Sequence, residues 1–135
     1  MIRLPLLRRD ERGAAAIEMA LALPILVSMI YGIFQVGLLY QANAGMQHAL
    51  GEGARYATLC IPSGSTCNPP SDMAIKVRIA SKLFGKGDGA FTVADPVVGA
   101  GYRNLSVTYS RKMTFLFFNG PTVTLTRSKK AYTVT

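Results

Sequence analysis

Few side chains in this sequence have the type and spacing for chemistry, and the most isolated of them is Glu18. It is the last formal charge before Glu52, and a long apolar run lies between the two. A carboxylate at the mouth of such a run is costly unless it is paired, and residues of this kind are usually functional. Just ahead of it stands a small-residue junction, Gly13-Ala14, preceded by the basic cluster Arg8, Arg9 and Arg12. A cut between Gly13 and Ala14 would create an ammonium one helical turn before Glu18. The acid would then gain a cationic partner, its own amine or that of the next copy, and it also sits well near a helix N-terminus. The alternative is an interfacial glutamate that simply reaches to water.

The other reactive types form no set. Cys60 and Cys67 flank a Pro-Ser-Gly-Ser-Thr turn, and outside the cytoplasm a disulfide closing that loop is the natural reading, against two unpaired thiols. No metal site is expected, because the single histidine, His48, is remote from the cysteines and no second cysteine pair exists. Glu52, Asp72, Asp88 and Asp95 fall in no acid–base motif, so no enzyme and no cofactor are expected. The glycines of Gly85-Lys86-Gly87-Asp88-Gly89 follow a predicted helix instead of opening one, which argues against a phosphate loop.

The elements that must position Glu18 are legible from hydropathy. Half of the 135 residues are hydrophobic and only 16% are charged, which favours a membrane-associated class. Met19–Leu39 has Ser28 and Gln35 as its only clearly polar side chains. As a helix it rises about 31 Å, enough for a hydrocarbon core of about 30 Å. Pro24 removes one backbone bond within it, and a kink is expected there. The arginine-bearing leader predicts a cytoplasmic N-terminus, with the remainder outside. An ordinary secretory signal has its small-residue cleavage site after the apolar core, whereas the distinctive junction here lies before it. The net charge of +8 is spread along the chain, so solvated faces are expected and no nucleic acid.

Beyond the span, Gln41–Leu59 continues as a more polar helix. Gly45, Ala49, Gly53 and Ala57 recur every fourth residue, a stripe that permits close backbone approach by the chain's own domain or by a neighbouring helix. Ser71–Phe84 reads as a second helix with Met73, Val77, Ala80 and Phe84 facing the core. Period-two alternation follows in Phe91 and Val93, in Leu105, Val107 and Tyr109, and in Val123 and Leu125, with Ala131–Val134 extending the last strand or adding one. Phe115-Leu116-Phe117-Phe118 reads as buried strand, or else as an apolar loop touching the membrane surface or a partner.

A basic leader, a glycine and an acid five residues later, opening an apolar helix, together resemble the type IV prepilin signal. More narrowly, Arg12-Gly13-Ala14-Ala15-Ala16-Ile17-Glu18-Met19-Ala20-Leu21-Ala22-Leu23-Pro24 and Glu52-Gly53-Ala54-Arg55-Tyr56-Ala57 resemble TadE-like pseudopilins of the tight-adherence (Tad, Flp) pilus machinery. Where an aromatic often follows the acid in such signals, this chain has Met19. The resemblance implies cleavage after Gly13 by a prepilin peptidase, Ala14 as the new N-terminus and Glu18 as the assembly acid. It also implies other pilins, the inner-membrane assembly platform and membrane lipid as partners.

The expected architecture is α+β: a long N-terminal transmembrane helix extending into a small periplasmic domain with a second helix and a 3–4-stranded antiparallel sheet. Residues 1–13 form the cleaved leader, 14–59 the assembly helix and 60–135 the periplasmic domain. The expected role is a non-enzymatic minor pilin in the bacterial inner membrane. The competing reading is a membrane-anchored periplasmic binding or adhesion module outside any pilus.

Overall fold

The computed structural model describes residues 11–59, 61–63, 66–115 and 118–132. One helix, α1 (Glu11–Ala57), runs through 47 residues, about 70 Å. Its alanines, leucines and methionines are strong helix formers. Its two halves meet different surroundings. From Gly13 to Val27 every residue is exposed, and none of its most apolar 18-residue window is buried. This part of α1 is long and apolar enough to cross a membrane. Pro24 lies within α1, and the helix runs on past it, with Ser28 Oγ donating to the Pro24 carbonyl at 2.8 Å.

The second half of α1 supplies much of the core. Ala42, Met46, Ala49, Leu50, Ala54 and Ala57 are buried at helical spacing, against Ile75, Ile79, Leu105, Val107, Tyr109 and Ala131. The sheet that receives them is antiparallel throughout. Its strands β3 (Ala90–Val93), β4 (Val97–Gly99), β5 (Tyr102–Thr114) and β6 (Asn119–Tyr132) are arranged around β5. β3 and β4 share one edge of β5 in succession, and β6 covers the other edge along its length, with Tyr109 opposite Leu125 and Thr114 opposite Asn119. Leu105, Val107 and Tyr109 are fully buried, as the alternation predicts, and β6 continues to Tyr132 as one strand. A further hairpin, β1 (Ile61–Ser63) and β2 (Thr66–Asn68), lies between the helices.

The second helix, α2 (Asp72–Lys82), starts where expected, with Ser71 Oγ accepting from the Ala74 amide. Its inward face is not the predicted one. Met73 and Val77 are 67% and 60% exposed, and Ala80 and Phe84 are exposed as well, whereas Ile75 and Ile79 are buried. Both stripes repeat every fourth residue, and the choice falls to the partner surface. A Cβ at Gly53 would run into the Ile79 side chain, so the missing side chain of α1 is the socket for that isoleucine.

The apolar run after β5 also departs from the buried-strand expectation. Its described residues, Phe115 and Phe118, stand between β5 and β6, with the Phe115 amide donating to the Phe118 carbonyl at 2.8 Å, and Phe118 is 63% exposed. Leu116 and Phe117 lie outside the described residues.

Candidate assembly segment

Glu18 is placed by α1 alone. The whole stretch from Gly13 to Ala20 is exposed, and a Cβ on Gly13 would meet nothing within 4 Å. Glu18 makes no ion pair with another described side chain. It stands 17 residues before Gln35, the first buried residue of α1, and therefore about 25 Å along the helix axis from the domain. No cation of the domain can serve it at that distance. A partner for the carboxylate has to come from the N-terminal end of its own helix or from another molecule. Ala14 and Glu18 are one turn apart on one face of α1, the spacing at which side chains of a helix meet.

The Gly13–Ala14 bond lies in the first turn of α1. The first four amides of a helix have no intrahelical acceptor, and glycine weakens a helix by about 1 kcal/mol relative to alanine. Proteolysis acts on backbone that opens locally. The Gly13–Ala14 bond thus combines an exposed position, a terminal turn and a glycine.

The second conspicuous motif, Glu52–Ala57, does a different job. Glu52 is 3.6 Å from both Arg55 on its own helix and Arg78 on α2. Gly53 accommodates Ile79, and Ala54 and Ala57 are buried. Gly45 lies against the Phe84 carbonyl, where a Cβ would strike backbone. The stripe Gly45, Ala49, Gly53 and Ala57 is thus buried within the chain, at the seam of α1 with α2 and β5. The loop Gly85–Gly89 is packed on the same seam. Gly85 takes a positive φ of 77° beside the Gln41 backbone, and Tyr109 Oη donates to the Lys86 carbonyl at 2.9 Å.

Asp72, Asp88 and Asp95 each lie beside a cation. Asp72 is 3.2 Å from Arg103, Asp88 3.5 Å from Arg111 and Asp95 2.7 Å from Lys76. Among the described residues no three of His, Cys, Asp or Glu cluster as metal ligands, and His48 lies edge-on to Phe84. Cys60 lies outside the described residues, and with it the expected bond to Cys67, whose backbone sits opposite Pro62 in the β1–β2 hairpin.

Two polar residues in the core escaped the sequence reading. Gln35 is 1% exposed and donates from Nε2 to the Thr114 carbonyl at 2.9 Å. Arg111 is 4% exposed and continues the inward face of Leu105, Val107 and Tyr109. Gln35 is one of two polar side chains in the predicted span, and Arg111 is one of the cations expected on solvated faces.

A bare half-helix, long and apolar enough to cross a membrane, is joined end to end with a small α+β domain. Residues 13–55, all within α1, match the family described as TadE-like protein, so that part of the chain is similar to this family. No curated protein and no solved structure matches the chain.

Proposed function

We propose that this chain is a minor pilin or pseudopilin of a tight-adherence pilus, a structural subunit without catalytic activity. The observation that carries the reading is the lone Glu18 on a TadE-like helix that leaves its first half uncovered. In this account α1 crosses the inner membrane with residues 1–13 in the cytoplasm and the α+β domain in the periplasm. A prepilin peptidase cuts after Gly13. The Ala14 ammonium then neutralises Glu18, in the same chain or in the next, and the bare half of α1 exchanges lipid for the helices of other pilins and the assembly platform. Exposed Ile17, Leu21, Ile25 and Met29 supply apolar surface for that exchange. Leaving Glu18 unpaired among packed helices would cost several kcal/mol, so the acid discriminates between assembled and unassembled states.

Exposed Phe118 favours one competing reading, a membrane-anchored adhesion module that never enters a pilus. The Glu18→Ala substitution separates the two. Loss of piliation with normal membrane insertion supports the pilin reading; unchanged piliation and unchanged adhesion contradict it.

A further inference from the structure

The end of β5 lies beside the membrane-competent half of α1. Two contacts fix its height. A Cβ on Gly32 would be 4.0 Å from the Phe115 ring, and the buried Gln35 amide donates to the Thr114 carbonyl. Phe115 and Phe118 stack at 4.7 Å between centroids, and Phe118 faces outward.

The bilayer thickness sets where that height falls. A hydrocarbon core of about 30 Å takes about 20 helical residues. Counted back from Phe34, the last exposed residue before Gln35, they reach Ala15, close to the Gly13–Ala14 junction. Shifting the slab toward the N-terminus would leave Ile30, Ile33 and Phe34, each at least 60% exposed, in water. Gly32 and the aromatic pair beside it therefore fall within the outermost layer of the hydrocarbon on the domain's side. Tyr40, 70% exposed, follows at the depth where aromatic belts sit.

Charge agrees with this placement. Lys112 is exposed on β5, two positions and about 7 Å back from Thr114. Exposed Lys86 stands on the loop packed at Gln41. The acid in this region, Asp88, is paired with Arg111. An aromatic pair backed by lysines matches a bilayer whose headgroups carry phosphate.

We propose that the stacked pair Phe115 and Phe118 is a second membrane anchor, lying in the acyl layer beside α1 with Lys86 and Lys112 at anionic lipid headgroups. The anchor rests on α1 crossing the bilayer, and it fixes how the domain sits on the membrane. It also means that a subunit leaving the bilayer must withdraw the aromatic pair as well as the helix.

The chain has no tryptophan, so single substitutions report position by fluorescence. The full chain is reconstituted in phosphatidylethanolamine–phosphatidylglycerol vesicles as Phe118→Trp, as Leu26→Trp within the span, and as Val98→Trp on β4. Emission of the Phe118→Trp protein should be blue-shifted, lost to lipids brominated near the glycerol end of the acyl chain, and insensitive to aqueous iodide. The Val98→Trp protein should show the reverse. Iodide quenching of the Phe118→Trp protein equal to that of Val98→Trp overturns the proposal. So does a blue shift without bromolipid quenching, which would mean that protein covers this position. If Leu26→Trp is quenched by bromolipid and Phe118→Trp is not, the second anchor fails while the span stands; if neither is quenched, both fail.

Discussion

The Gln35 side-chain amide donates to the Thr114 carbonyl across 79 positions of sequence, tying the uncovered half of α1 to the far end of β5. Gln35 Oε1 is buried with no protein partner, so the residue contributes one good bond and carries one unmet acceptor. In Gln35→Leu the lost bond, about 1 kcal/mol, is largely offset by removal of that acceptor. Global stability in detergent should therefore change by less than about 1 kcal/mol. The end of β5 should nonetheless loosen, read as faster hydrogen exchange at the Phe115 amide.

Two glycines of α1 should respond oppositely to alanine. At Gly45 the added Cβ meets the Phe84 backbone carbonyl, which cannot move aside without shifting the loop. Overpacking of about 1–3 kcal/mol should exceed the helix-propensity gain of about 1 kcal/mol, and Tm should fall. At Gly37 nothing lies within 4 Å of the added Cβ. Gly37→Ala should leave Tm unchanged or raise it. Thermal unfolding of the two variants in one detergent makes the comparison.

The inward face of α2 can be checked by truncation. Ile79→Ala should destabilise by about 2–5 kcal/mol, because it empties the socket at Gly53. Met73→Ala, at 67% exposure, should stay within about 0.5 kcal/mol of the parent. Chemical denaturation measures both. Equal losses would contradict the orientation of the helix.

Cys60 and Cys67 are expected to be joined in the exported protein, closing the loop that contains the β1–β2 turn. Protein taken from the envelope and denatured without reductant should resist thiol alkylation, and should accept two labels after reduction. Two labels without reduction would contradict both the bond and the periplasmic placement.

What could be read from the sequence follows from how local each signal is. The apolar length of α1 and the solitary Glu18 are properties of contiguous residues, and so is the alternation of Leu105, Val107 and Tyr109. The face of α2 was not legible, because Met73/Val77 and Ile75/Ile79 have the same spacing and only Gly53, on another helix, chooses between them. Arg111 was missed because its charge interrupts the apolar pattern whose inward face it continues. Gln35 was missed because its partner lies in a distant strand. Exposed Phe118 departs from the buried-strand reading because the element beside Phe115 is the uncovered part of α1.

The central claim is that this chain is processed as a pilin, converting Gly13–Ala14 into an ammonium poised before Glu18. Intact-mass spectrometry of the protein extracted from membranes of cells with an active prepilin peptidase tests it most directly. The account predicts a chain that begins at Ala14, with Gly13 and everything before it removed. A chain that still carries Met1–Gly13 in those cells would contradict it.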